Sequence, residues 1–287
     1  KSLGSQTDII TKEMYVFSDK NGESVCLRPE GTSSIVRSVI ENNLIYDRGI
    51  KKRKYWYYGP MFRYERPQKG RLRQFNQFGI EYFGFSGITS EVELIIFINK
   101  LFNALNVDNY QLHINSIGNQ DDRYRYSSKI KAIMNDNISV LTDGEKATLE
   151  KNPLRLLDSK NEKIKEILSA LPVLYESLND ESKKRFDSVT QLLDQLEIDY
   201  IVDNAIVRGL DYYNDTVMEW KTDKLGSQDA ICAGGRYDQL IQSNYSIEIP
   251  AVGVALGIER LVELLKINGT SLNEIKYAIV NEDSENI

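Results

Sequence analysis

The sequence holds a single histidine, His113, and only two cysteines, Cys26 and Cys232, with no CxxC spacing. A zinc ribbon and a disulfide scaffold are therefore excluded, and a His-rich metal centre is impossible. A Ser-His-Asp triad would have to use that one imidazole. Any metal would be a hard cation held by carboxylates and substrate phosphates, for which magnesium is the natural choice. The longest apolar run, Leu94–Ile98, is far too short to cross a bilayer, and no charged-then-apolar leader opens the chain. The expectation is a soluble, cytoplasmic protein of a reducing compartment with no membrane partner. The formal charge of -6 argues against a surface that grips nucleic acid throughout, which leaves a local basic strip to be sought. The 41% hydrophobic and 27% charged residues are ordinary for a globular chain of 287 residues.

The patterning divides the chain. "EMYVFSDKNGESVCLRPEG" reads as two short strands around an Asn21-Gly22 turn, and a helix follows with Thr32 or Ser33 as its cap. "KYWYYGPMF" and "FNQFGIEYFGF" are aromatic and β-prone, residues 90 to 105 have helical spacing, and "YQLHINSIG" is a strand ending at Gly118. From about Asn119 to Ile198 the composition turns to Lys, Glu, Asp, Ser and Leu in helical periodicity, and from Tyr200 the strand pattern returns. The reading is an α+β core split by a helical insertion: 1–118 and 199–275 as core, 119–198 as insertion. Residues 276–287 read as the start of a truncated C-terminal linker.

Four constellations carry chemistry. Arg63, Arg66, Lys69, Arg71 and Arg73 place five cations in eleven residues against Glu65 alone, in a connection much longer than a hairpin needs. Arginine forks match phosphate oxygens two at a time. In "GVALGIERLVELL" a small-residue strand turns through Gly257 into a helix, with Arg260 in the first turn, where an anion is already favoured. "LRPEGTSS" sets Glu30 and Thr32 around Gly31 on a strand-to-helix turn that can receive an amino group. In "FNQFGIEYFGF" strand alternation puts Gln77 and Glu81 on one face, with Gly79 between them as a floor for a ligand. A buried Glu81 without a partner would cost several kcal/mol, so a cation, a hydrogen-bonding ligand or water is required there. Each feature also has an ordinary reading: a solvated basic loop, an exposed arginine on an amphipathic helix, an N-cap with a nearby acid, a wet sheet face. Together they describe a sheet floor with carboxylates at one end and arginines at the other.

"GPMFRYERPQKGRLRQFNQFGIEYFG" resembles motif 2 of class II aminoacyl-tRNA synthetases, and "AVGVALGIERL" resembles their motif 3. "LRPEGT" and above all "RGLDYYNDT" resemble the signatures of the histidyl-tRNA synthetase family, and "NSIG" and "NPLRLLDSKN" extend the resemblance over nearly the whole chain. It implies an antiparallel sheet flanked by helices, with a helical insertion domain. The implied reaction activates histidine with ATP and magnesium to histidyl-adenylate and pyrophosphate, then transfers histidine to its tRNA. By family pattern Arg63 would hold the α-phosphate and the histidine carboxylate, Glu65 the adenine amino group, and Phe75 the adenine face. Arg71 and Arg260 would take the outer phosphates. Glu30, Gly31, Thr32 and Gln77 would fix the α-amino end, while Glu81 and Tyr213, with Tyr212 beside them, would read the imidazole. Arg208 would stand at the reacting phosphate, and Gln68 and Arg73 toward the tRNA acceptor end. Motif 1 and the anticodon-binding domain are missing from the pattern, which implies an excised core that dimerises weakly, in a family of homodimers, and binds tRNA poorly. The competing resemblance is to the histidine-binding regulatory subunit of ATP phosphoribosyltransferase. His113 is expected to be structural.

Overall fold

The computed structural model describes residues 13–45, 51–68, 70–207, 212–226 and 229–269. Strands β1 (Val16–Ser18) and β2 (Ser24–Cys26) form the first hairpin. Its turn is locked by Asp19, whose Oδ1 accepts from the backbone N–H groups of Asn21 and Glu23 at 2.8 and 2.9 Å. Gly22 takes φ +81°, the left-handed conformation such a turn demands. Helix α1 (Thr32–Glu41) follows, burying Val36 and Val39.

Strands β3 (Arg53–Phe62) and β4 (Gln74–Phe83) then pair antiparallel along their whole length, from Arg53 opposite Phe83 to Phe62 opposite Gln74. After α2 (Thr89–Ala104) come β5 (Gln111–Ser116) and four helices: α3 (Gln120–Asp136), α4 (Asp143–Lys151), α5 (Glu162–Leu168) and α6 (Asp180–Gln195). The chain returns through β6 (Ile201–Val202), β7 (Asn214–Lys221), β8 (Ala230–Arg236), α7 (Asp238–Tyr245), β9 (Ala251–Gly257) and α8 (Ile258–Ile267). The main sheet has the order β3-β4-β9-β8-β7-β5-β6. Every pairing in it is antiparallel except the short edge pair β5–β6, which is parallel. No helix among the described residues is long and apolar enough to cross a membrane.

Alternation along the strands gives the sheet two buried faces. On one face Ile80, Tyr82, Met218, Trp220, Val252 and Val254 pack with the apolar sides of α2, α6 and α8. On the other, Phe83, Val217 and Ala251 pack with α1, α7 and the helices α3 to α5. Helix α6 lies within the stretch whose composition marks it as inserted, yet its Phe186, Val189 and Leu193 complete the first of these cores. His113 sits on β5, its Nδ1 2.9 Å from the Asp203 carboxylate, which also receives Lys221 at 3.0 Å. It belongs to the far edge of the sheet.

Candidate active site

The second face of the sheet holds a cavity of about 250 Å³. Its rim and floor bring together Glu30, Thr32, Arg63, Glu65, Arg71, Phe75, Gln77, Tyr212, Tyr213 and Arg260 from separate stretches of chain. The register explains the floor: Gly79 stands opposite Ala255, and Ala255 opposite Ala233, so the middle of the sheet carries small side chains. Gly79 itself is not open. Tyr57, directly across the β3–β4 ladder, lays its ring over it, and a Cβ on either Gly79 or Gly31 would fall 2.1 Å from that ring. The expected ligand floor at Gly79 is thus occupied by a phenol, and Gly31 backs the pocket without lining it. Burial, with the Glu81 and Glu30 carboxylates nearby, pushes the Tyr57 phenol well above its usual range.

At the acidic end, Glu81 is fully buried, with Gly253 beside it; a Cβ there would lie 1.7 Å from Oε2. Thr32 Oγ1 donates to Glu81 Oε1 and Tyr237 OH donates to Oε2, each at 2.6 Å. Burial dominates these bonds and raises the Glu81 carboxyl to about 8. Thr32 therefore serves the pocket instead of capping α1. The cap position is Gly31, which makes no side-chain bond, and Glu30 Oε1 accepts from the Ser33 N–H at 2.9 Å instead. The other oxygen, Glu30 Oε2, and Gln77 Oε1 are buried with no hydrogen-bond partner among the described residues. Such acceptors cost about 1–3 kcal/mol each when left unmet.

Tyr212 and Tyr213 both line the cavity, their ring centroids 4.7 Å apart. Adjacent residues in a strand would face opposite ways; these two precede β7, which begins at Asn214, and escape that alternation. Tyr213, however, is not the phenol hydrogen-bonded to Glu81. That partner is Tyr237, whose ring centroid lies 6.5 Å from that of Tyr213.

Arginines converge at the other end. Arg63 donates through Nε to the Pro29 carbonyl at 2.9 Å, and its guanidinium lies over the Phe75 ring, 5.1 Å from the centroid. Arg71 forms an ion pair with Glu65, and Glu13 stands 3.8 Å from Arg71 with its carboxyl against that of Glu65. Burial and the facing Glu65 raise the Glu13 carboxyl. Arg260 is not the exposed arginine of an amphipathic helix. Its Nε donates to the Gly70 carbonyl and its Nη1 to that of Ala230, both at 2.7 Å. Burial, then repulsion from Arg63, lowers its pKa, with Arg71 adding to the repulsion. Three cations converge at this end of a partly dry cleft, a concentration of charge that a polyanion would offset.

Gln68 and Arg73 lie outside the cavity. Gln68 and Arg71 exchange backbone hydrogen bonds at 2.9 and 3.1 Å, and Arg73 rests over Tyr64, donating to the Glu65 carbonyl at 3.1 Å. Arg208 and Lys69 lie outside the described residues. Four residues of the site have no obvious mark in the sequence: Tyr57, Tyr237, Glu13 and Glu259. Glu259 receives the Asn76 N–H at 2.9 Å and its side-chain amide at 2.9 Å, pinning the start of β4 to α8. Tyr237 could have been sought in "CAGGRYD", where a phenol stands two residues after a close-approach glycine pair.

An antiparallel sheet carrying motif 2 on β3–β4 and motif 3 on β9–α8, with its pocket between them, is the catalytic architecture of class II aminoacyl-tRNA synthetases. The family model described as histidyl-tRNA synthetase matches residues 1–261. The chain is 46% identical over 267 residues to a histidine–tRNA ligase of Buchnera aphidicola, covering 93% of this chain and 62% of that protein. It is 49% identical over 282 residues to one of Blochmanniella floridana, covering 98% and 63%. Among solved structures, apo histidyl-tRNA synthetase of S. aureus superposes with a TM-score of 0.73 at 33% identity, covering 94% of this chain and 65% of that one. The chain belongs to the histidyl-tRNA synthetase family, and it spans less than two thirds of the length of these relatives.

Proposed function

We propose that this chain carries the active site that joins histidine to ATP, giving histidyl-adenylate and pyrophosphate, and that the whole protein then transfers histidine to its tRNA. The observation carrying this reading is the polarity of this cavity: unmet buried acceptors on Glu30 and Gln77 at one end, and Arg63, Arg71 and Arg260 at the other. An α-ammonium group supplies the donors that Glu30 Oε2 and Gln77 Oε1 lack. The imidazole then reaches toward Glu81 and the tyrosines. The triphosphate relieves the mutual repulsion of the arginines, and adenine stacks on Phe75 with its amino group toward Glu65. Because Arg71 is closed on Glu65, nucleotide entry requires that pair to part.

The chemistry needs no protein nucleophile. A carboxylate oxygen of histidine attacks the α-phosphorus in line, the bond to the β-phosphate oxygen breaks, and pyrophosphate leaves with the electron pair. Arg63 and Arg260 stabilise the charge that develops, with Arg208 proposed beside them. The 3'-terminal adenosine hydroxyl of the tRNA then attacks the carbonyl carbon and AMP departs. No group of three His, Cys, Asp or Glu side chains among the described residues is placed to hold a metal. Magnesium is proposed to arrive on the triphosphate. Residues 119–198 are proposed as the insertion, Gln68 and Arg73 as contacts for the acceptor end, and the whole protein as a cytoplasmic homodimer.

The regulatory-subunit alternative is not favoured. An ATP phosphoribosyltransferase regulatory subunit/histidyl-tRNA synthetase from Bacillus halodurans C shares 21% identity with this chain, covers 92% of it and 70% of its own length, and superposes with a TM-score of 0.59, a likeness of fold alone. The test is exchange of labelled pyrophosphate into ATP by the intact full-length protein under magnesium. Exchange that depends on histidine is expected; exchange absent, or indifferent to histidine, would remove the reading.

A further inference from the structure

We infer that Tyr237 is a specificity-determining positioning residue, which fixes one oxygen of Glu81 and is itself fixed by a buried Arg236 clamp reaching through to the opposite face of the sheet. The inference rests on the proposed histidine reading and goes beyond it to two residues that reading leaves unused. Arg236 and Tyr237 are consecutive and each is 1% exposed, yet their side chains serve opposite faces. Arg236 grips both oxygens of Glu91 on α2, through Nε at 2.9 Å and Nη2 at 2.8 Å. Its Nη2 also reaches Ser90 Oγ at 3.1 Å and the Phe85 carbonyl at 3.2 Å, and Nη1 reaches Asp238 at 3.0 Å. Glu91 is shared with Arg185 of α6 at 2.6 Å. A guanidinium so fully bonded, in a pair this buried, has one geometry available to it.

That geometry is passed on through the backbone. The Tyr237 N–H donates to the Ala251 carbonyl at 2.8 Å, and the Asp238 carboxylate accepts the Ala251 N–H at 2.7 Å, so both polar groups of Ala251 are held by this segment. Two residues further along β9 stands Gly253, the residue that makes room for Glu81. Tyr237 and Glu81 are thereby referred to the same strand, and their 2.6 Å hydrogen bond follows from it. Thr32 from α1 holds the other oxygen. The titratable groups facing Glu81 are Glu30 ahead of α1, Tyr57 on β3, Tyr212 ahead of β7 and Tyr237 itself. Of these, Tyr237 donates a hydrogen bond to it. Removing that bond leaves Oε2 buried without a donor and makes the acid harder to ionise, so the carboxylate is formed only at higher pH.

The experiment uses the intact full-length protein in histidine-dependent pyrophosphate exchange, comparing wild type with Tyr237→Phe and Asp238→Asn. For Tyr237→Phe the KM for histidine at neutral pH should rise about ten-fold or more, the scale of one hydrogen bond to a charged group. The KM for ATP should move less than about two-fold, and the acid limb of kcat/KM for histidine should shift to higher pH. Asp238→Asn loosens the clamp without touching the phenol and should shift the same limb the same way by less, which keeps the test valid if Tyr237→Phe folds poorly. Equal changes in both KM values with an unmoved pH limb would overturn the inference and leave Tyr237 a core residue. A wild type without histidine-dependent exchange would remove the underlying reading and this inference with it.

Discussion

Glu81 is an acid placed where ionisation is opposed. Its folded pKa of about 8 lies above the ordinary 4.5, so the folded state holds its proton more tightly than the unfolded chain does. Below pH 4.5 both states are protonated and the group has no effect on stability. Between 4.5 and about 8 the unfolded chain ionises and the folded one resists, so stability drains away as pH rises, and above 8 the loss is complete. Glu81→Gln removes this dependence. The stability difference between variant and wild type, from denaturant titrations at several pH values, should move in the variant's favour from pH 4.5 to 8 and then level off. A difference independent of pH would mean that the carboxyl is not held neutral. The same substitution should abolish histidine-dependent exchange, because an amide cannot become the anion that the imidazole N–H is proposed to meet.

At the scale of elements, the β3–β4 hairpin carries most of the site: Tyr57, Arg63, Glu65, Arg71, Phe75, Gln77 and Glu81 all lie on it or on its connection. Its long connection is folded back by the Gln68–Arg71 turn and by Arg260 on the Gly70 carbonyl. Gly79→Ala should destabilise the protein by about 1–3 kcal/mol, since the new methyl must displace the Tyr57 ring or the strand. It should also raise the KM for histidine more than that for ATP, because Tyr57 lines the acidic end; an unshifted melting temperature would show that the ring has room to move. This hairpin was the most legible part of the sequence. Two β-prone runs, an over-long basic connection and an alternating face mark it in the sequence. What alternation could not tell is which residue stands across the ladder from Gly79, since register is set by the pairing partner. Hence the open floor expected there is a tyrosine, and the partner of Glu81 is Tyr237, between β8 and α7, 156 positions away in the chain. The same limit hid the cap of α1: Thr32 was a good capping residue by type, and a tertiary bond to Glu81 claimed its hydroxyl.

For the molecule as a whole, the shift in composition at Asn119 locates where helices replace strands. It does not locate which helix the core depends on. α6 reads as part of a polar helical stretch because polar residues dominate it, while Phe186, Val189 and Leu193 are buried in the core with α2 and the sheet. Phe186→Ala should therefore cost about 3–5 kcal/mol and lower the single melting transition of the sheet core. A transition left in place, with loss confined to a separate event, would mean that α6 belongs to an independent appendage. The same view of the molecule has histidine and nucleotide bound at opposite ends of one cavity, each end with its own residues. Titration calorimetry of histidine into the full-length protein tests this most directly. One site per chain is expected, lost in Glu81→Gln and retained within about three-fold in Arg260→Ala, whose defect should appear in ATP binding instead. Histidine binding that survives Glu81→Gln, or that fails in Arg260→Ala, would contradict it.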